Sequence, residues 1–127
     1  MNIPETLRYC PTHEWVRQEA DGTVTVGISD FAQDNLGELV YVELPRVGRQ
    51  VSSGESCAVV ESVKAASDVY APLPGEIVAT NAALVDTPNR INGDPYGAWL
   101  FKLKLAAGAD VGELMDAAAY AKIASIM

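Results

Sequence analysis

Turn residues cut this chain into short pieces. Asp21-Gly22, Gly37, Pro45, Ser53-Gly54 and Pro72-Leu73-Pro74-Gly75 each end an apolar run soon after it begins. Glycine supplies the backbone angles of tight turns, and proline cannot donate to a sheet ladder. Between these breaks the apolar residues mostly alternate with period two, the pattern of half-buried strands. Thr12 to Arg17 reads as the first strand. After the Asp21-Gly22 turn, Val24, Val26 and Ile28 share one face, with Thr23 and Thr25 on the other. Leu39 to Leu44 follows, with Val40, Val42 and Leu44 on one face and Pro45 as its stop. In the strand Ser56 to Ser62, Cys57 alternates with Val59 toward the core. Ala66 to Tyr70 returns, and Glu76 to Val78 is a further short strand. Trp99 to Leu105 is the last, its Phe101, Leu103 and Leu105 alternating with solvent-facing Lys102 and Lys104.

Helical signals are few. Ser29 or Asp30 caps a short helix to about Leu36, closed by Gly37. Asn81 to Val85 reads as a turn and an irregular run, and Thr87-Pro88 as the cap and first turn of a brief helix ending near Asn92-Gly93. From Gly108 the pattern becomes helical. Glu113-Leu114-Met115 forms one turn, and Asp116 caps Ala117 to Ile126, with Tyr120, Ile123 and Met127 as an apolar stripe. The whole predicts a mainly β sandwich or barrel with short helices and a C-terminal helix, rather than alternating strand–helix units. At 127 residues and 49% hydrophobic content, one domain spanning 1–127 is expected, with 108–127 as its helical extension. Gly54-Glu55 and Gly75-Glu76 each precede an apolar strand, an echo of two similar half-sheets too short to establish a repeat.

Nine basic against 17 acidic residues leave a net charge of -8. That argues against nucleic acid and anionic membranes as partners, and favours proteins with basic docking patches. No window has the apolar length of a membrane span, and residues 1–8 carry no secretion signal pattern. Cys10 and Cys57 belong to no CxxC motif and read as separate thiols in a reducing, cytoplasmic setting. His13 is the only histidine, with no Cys/His cluster around it, so no metal site is expected. It reads as structural or exposed rather than as a general base, since no nucleophile is identifiable beside it. Trp15 and Trp99 read as core or half-buried anchors, Met115 and Tyr120 as helix packing, and no glycine cluster forms a phosphate loop.

Lys64 stands apart. It lies between the apolar runs Ser56 to Ser62 and Ala66 to Tyr70, no lysine precedes it, and the next is Lys102. Two readings fit that isolation: a solvated lysine in a turn, and an address for covalent attachment. A catalytic lysine needs burial or a cationic neighbour, whereas the nearby charges are Glu61 and Asp68. A hairpin tip would expose the amine to a modifying enzyme, and acylation would remove its charge. A group tethered there gains a high effective concentration at any docked partner.

Glu61-Ser62-Val63-Lys64-Ala65-Ala66-Ser67-Asp68-Val69-Tyr70 resembles the lipoyl-lysine segment of the glycine cleavage system H-protein family. Thr12-His13-Glu14-Trp15-Val16, the block from Thr25 to Gln33, Leu36-Gly37-Glu38-Leu39-Val40, Val42-Glu43-Leu44-Pro45 with Gly48, Asn92-Gly93-Asp94-Pro95-Tyr96-Gly97 and Trp99-Leu100-Phe101-Lys102-Leu103 resemble other blocks of the same family, over roughly residues 9 to 124. The resemblance implies a barrel-sandwich hybrid fold and (R)-lipoate joined covalently to Lys64. It implies a cytoplasmic, monomeric shuttle with no catalytic residue of its own. Such a shuttle takes an aminomethyl group from the pyridoxal-phosphate glycine decarboxylase (P protein) to the tetrahydrofolate-dependent aminomethyltransferase (T protein). It then delivers the dithiol to dihydrolipoamide dehydrogenase (L protein). A lipoate-protein ligase or a lipoyl/octanoyl transferase would modify it. Glu61 and Gly75 resemble positions read by the modifying enzymes, although Gly75 also completes a Pro74-Gly75 turn. Thr12, Glu14 and Asp68 resemble residues lining the cleft where the loaded arm rests, although each acid also fits an ordinary surface role.

Two rival carriers share the lysine. Lipoyl domains of 2-oxoacid dehydrogenase complexes place an acidic residue just before it, where Val63 stands here, and biotinyl carriers bracket it with methionines, where Val63 and Ala65 stand. A lipoate-relay carrier or a regulatory homologue would keep Lys64. A small enzyme using Glu14 or Asp68 lacks a paired catalytic group in the sequence.

Overall fold

The computed structural model describes residues 2–126. Nine strands form two antiparallel sheets. The larger runs β1 (Arg8–Tyr9), β2 (Glu14–Gln18), β3 (Thr23–Ile28), β9 (Phe101–Leu105), β8 (Gly75–Thr80) and β5 (Gln50–Val51), in that spatial order. The smaller is β4 (Leu39–Glu43), β6 (Ser56–Ser62) and β7 (Ala66–Tyr70), with β6 in the middle. Among the described residues four α-helices accompany the sheets: α1 (Asp30–Leu36), α2 (Ala83–Asp86), α3 (Arg90–Gly93) and α4 (Ala117–Ile126). The sheet-rich expectation holds in this form, two sheets with four helices; of the two Gly-Glu pairs, Gly54 leads into the three-stranded sheet and Gly75 opens a strand of the six-stranded one.

Both sheets feed one core. Val24, Val26, Ile77, Phe101 and Leu103 from the large sheet pack with Val42, Cys57, Val60 and Val69 from the small one. A second cluster seats α4: Tyr120, Ala117 and Ala124 meet Leu7, Tyr9 and Trp15, all buried. Tyr9 and Tyr120 stack with ring centroids 4.6 Å apart. Asp116 caps α4 by accepting the Ala119 amide at 2.9 Å, as its sequence predicts. The Met127 end of the expected apolar stripe lies outside the described residues.

Local chemistry explains α1 in full. Ser29 Oγ accepts the Ala32 amide at 3.2 Å, and Gly37, at φ 81, ends the helix by donating its amide to the Gln33 carbonyl. Elsewhere tertiary pairing overrides the pattern. A register shift between Leu39 and Tyr41 turns Val40 out to 54% exposure, while Val42 is 2% exposed, so the expected Val40–Val42 face is broken. Another shift between Ser56 and Ala58 buries Cys57 together with Ala58 and Val60 and leaves Val59 only half-buried. Within the irregular run at Asn81–Val85 α2 begins, and the Thr87 hydroxyl donates back to the Ala83 carbonyl at 3.0 Å, closing α2 instead of capping α3. The turn before α4 is a 3-10 turn over Val111–Glu113. Met115 then exchanges both backbone hydrogen bonds with Tyr9, extending the sheet instead of joining a helix.

The bulge in β4 has a direct thermodynamic signature. Val42→Ala should cost about 2 kcal/mol by removing buried methyl groups, whereas Val40→Ala should stay within about 0.5 kcal/mol. Urea unfolding of the two variants checks this.

Candidate functional site

β6 and β7 form a hairpin whose reversal is Ser62 to Ala65. The Ser62 amide donates to the Ala65 carbonyl at 2.8 Å, and the Ala65 amide donates to Ser62 Oγ at 3.2 Å. Those bonds use the turn's own polar groups, so its central residues face solvent. Val63 is 90% exposed and Lys64 is exposed. Among the described residues Lys64 has no ion-pair partner within 4.0 Å. Its Cε lies 3.8 Å from where a methyl group on Gly37 would sit, so the stem passes the end of α1. The sequence placed this amine on a hairpin tip, and the structure has it there.

From this tip, β7 runs along a cleft of about 150 Å³. Ile28, Ala32, Leu36 and Val60 give it apolar walls, and Thr12, Glu14, Ser67 and Asp68 give it polar ones. Asp68 is therefore brought together with Thr12 and Glu14, which are distant from it in sequence. Ser67 and Asp68 lie three and four residues from Lys64, or roughly 10–13 Å along the strand. A larger cavity of about 370 Å³ is lined by Cys10, Tyr70, Pro72 and Leu114 and shares Thr12 with the cleft. Its Tyr70 wall is some six residues from Lys64, roughly 20 Å along the strand, so the smaller cleft is the nearer of the two to Lys64.

The two acids differ in character. Asp68 is exposed, and its Oδ1 accepts the Ser56 hydroxyl at 2.8 Å. Glu14 is 1% exposed. Its Oε1 accepts the Thr12 hydroxyl, and its Oε2 accepts the Tyr70 amide at 3.0 Å. Burial pushes the Glu14 carboxyl above the ordinary carboxylate range, and those donors pull only part of the way back. A surface role for Glu14 is thereby ruled out.

Residues 10–14 hold these groups in a tight loop. The Cys10 amide donates to the Glu14 carbonyl at 3.0 Å and the His13 amide to the Cys10 carbonyl at 2.9 Å. His13 sits at φ 79, a left-handed conformation that costs a non-glycine residue energy. His13 is among the residues lining the cleft, and its Nδ1 lies 2.7 Å from the Tyr120 hydroxyl. Burial holds the imidazole below its usual pKa. It is thus structural, as its sequence context implied, yet it also belongs to the cleft. The α1 wall was also missed; its signal is the spacing of Ala32, Asn35 and Leu36 on one helix face.

The remaining expectations resolve more simply. Glu61 is half-buried in β6, between Tyr41 of β4 and Ala66 of β7. Gly75 lies in the other sheet, paired with Val51 and Leu105. A methyl group there would collide with the Lys104 carbonyl oxygen and come within 3.2 Å of Leu105 Cα. Gly75 is thus explained by close strand packing more than by turn geometry. Cys10 and Cys57 are free and buried, and burial pushes both thiols up to about 12, so both stay protonated. Among the described residues no group of three or more His, Cys, Asp or Glu side chains converges as metal ligands would. No described helix is long and apolar enough to cross a membrane.

The model of the family described as "Glycine cleavage H-protein" matches residues 7–126. The chain belongs to the glycine cleavage H-protein family. A glycine cleavage system H protein of Burkholderia cenocepacia is 59% identical over 122 residues, covering 96% of this chain and 97% of the relative. One from Thiobacillus denitrificans is 59% identical over 123 residues, covering 97% and 95%. The crystal structure of a glycine cleavage system H protein from Mycobacterium marinum superposes with a TM-score of 0.85 at 48% identity, covering 94% of this chain and 97% of that one.

The cleft's electrostatics give a pH signature. A raised Glu14 pKa in the folded state means that the folded protein binds a proton more tightly than the unfolded chain. This group's contribution to stability is full below its unfolded pKa and is lost as pH rises through the folded value. Glu14→Gln should abolish that part of the pH dependence and so gain on the wild type as pH rises toward neutrality. Urea unfolding at a series of pH values checks the sign.

Proposed function

We propose that Lys64 is the lipoyl attachment point and that the cleft beside it receives the far end of the tether. A member of this family is a carrier and not an enzyme: the chain conveys the aminomethyl group within the glycine cleavage system. The observation that carries the residue assignment is a solvent-exposed, unpaired Lys64 on a hydrogen-bonded hairpin tip, a short strand length from a cleft with apolar walls and two carboxyl groups. The fit is chemical. Alkyl and dithiolane groups match Ile28, Ala32, Leu36 and Val60, and a cationic amine matches Glu14 and Asp68.

When bound, lipoate supplies a redox-active disulfide that accepts a group and two electrons. The protein's own residues do the rest. The β6–β7 hairpin presents the amine, Glu14 and Asp68 orient a positive end, and the apolar walls exclude water from a labile adduct. The net charge of -8 favours docking on basic surfaces. We assign as successive partners the glycine decarboxylase, the aminomethyltransferase and dihydrolipoamide dehydrogenase, with a lipoate ligase or transferase installing the cofactor. Glu61, held in β6 beside the tip, and Gly75 are assigned to recognition by that modifying enzyme. The two buried, unpaired thiols support a cytoplasmic setting. The shared core of the two sheets supports the barrel-sandwich hybrid assignment.

Two variants test this. Intact mass and peptide mapping after expression with lipoate and its ligase should place a lipoyl group on Lys64. Lys64→Arg should show no modification and no glycine-dependent reduction, with stability within about 0.5 kcal/mol of wild type, since the side chain is exposed. Biotin on Lys64, or a fully active Arg variant, would refute the assignment. Gly75→Ala should lose about 1–3 kcal/mol from the clash with β9. Lipoylation of the folded fraction then separates packing from enzyme recognition: a normal level would remove Gly75 from the recognition set.

A further inference from the structure

The C-terminal helix carries no residue of the cleft, yet one of its hydroxyl groups touches both cleft walls. Tyr120 is fully buried, and its Oη lies 2.7 Å from His13 Nδ1 and 2.6 Å from Ser29 Oγ. His13 belongs to the loop that presents Thr12 and Glu14. Ser29 is the cap of α1, whose Ala32, Asn35 and Leu36 form the opposite wall. The two walls also meet directly through the Ser29 amide, which donates to the His13 carbonyl at 2.9 Å.

Hydrogen-bond accounting fixes the direction of the bridge. Ser29 Oγ already accepts the Ala32 amide, and its hydroxyl proton has the Tyr120 oxygen as acceptor. The Tyr120 proton then goes to His13 Nδ1, which requires a neutral imidazole. The reverse chain, with Nδ1–H donating to Tyr120 and Tyr120 to Ser29, leaves the buried Ser29 proton without an acceptor among the described residues. Burial of His13 favours the same neutral state. The Glu14 carboxyl oxygens accept from Thr12 and Tyr70 and make no hydrogen bond to this bridge among the described residues. His13 also packs on Phe31 of α1, with centroids 4.9 Å apart.

We propose that Tyr120 is a positioning residue for the carrier cleft: its hydroxyl braces the strained Cys10–Glu14 loop against the start of α1, and so sets the spacing of the two walls that receive the tether. The inference rests on the cleft's assignment to the lipoyl-lysine group. It gives the C-terminal extension a role in the site, through one buried hydroxyl.

Tyr120→Phe removes the hydroxyl and keeps the ring that stacks on Tyr9. In the unmodified variant, NMR hydrogen exchange should be about tenfold faster, the equivalent of 1.4 kcal/mol, at the His13, Ala32 and Gln33 amides, with the core strands β3 and β9 unchanged. In the lipoylated, aminomethyl-loaded variant, the load should be lost to water severalfold faster than from wild type. His13→Asn tolerates the left-handed backbone but lacks the imidazole acceptor, and it should reproduce both effects if Tyr120→Phe folds poorly. Unchanged exchange at both walls, a uniform rise across β3 and β9, or an unchanged lifetime of the load overturns the proposal. A wild-type Lys64 that accepts no lipoate overturns the functional reading instead, and the exchange pattern alone then decides whether the brace exists.

Discussion

A buried carboxylate joins the two sheets at the place where the site is built. Glu14 belongs to β2 of the large sheet, and Tyr70, whose amide it accepts, belongs to β7 at the edge of the small one. An edge strand leaves amides without a neighbouring strand. Here one of them is satisfied by an acid from the opposite layer, in a bond of the kind worth about 1.5–3 kcal/mol when one partner is charged. Burial makes the same carboxyl costly to ionise. The Thr12 hydroxyl and the Cys10–Glu14 loop exist around that compromise: they hold an acid in a position that a packed core would not otherwise choose.

The site thus combines rigidity and freedom in one hairpin. Val60 and Val69 anchor β6 and β7 in the common core, while Ser62 to Ala65 satisfies its own backbone groups and leaves Lys64 in water. A carrier needs that division. The body must be a fixed landmark for several enzymes, and the amine must be reachable by each. The low positive charge around Lys64 serves the same end: in the described structure the other lysines lie on β9 and α4, away from the hairpin. Any basic partner surface therefore meets a mainly acidic body with one exposed amine on this tip.

Much of this was legible along the chain because its causes are local. Ser29, Gly37 and Asp116 are caps whose partners lie within four residues. The Lys64 turn is likewise a contact of residues three apart. What escaped depends on partners far away. Val40 alternates correctly with Val42 in sequence, but pairing with β6 inserts a bulge and turns Val40 outward. Met115 has the company of a helix, but the edge of β1 offers it two hydrogen bonds. His13 shows no local signal for a left-handed backbone or for a tyrosine 107 residues away.

The sequence by itself determined the short strands, the caps and the isolated lysine on its turn, because alternation, capping and turn formation are decided between neighbours in the chain. It also carried the family pattern. Only the tertiary structure decided that Thr12, Glu14 and Asp68 share one cleft, that Glu14 is buried, and that Tyr120 reaches both walls. Those facts arise where two sheets and a terminal helix pack together, and burial and long-range hydrogen bonds do not exist until that packing brings distant residues within reach.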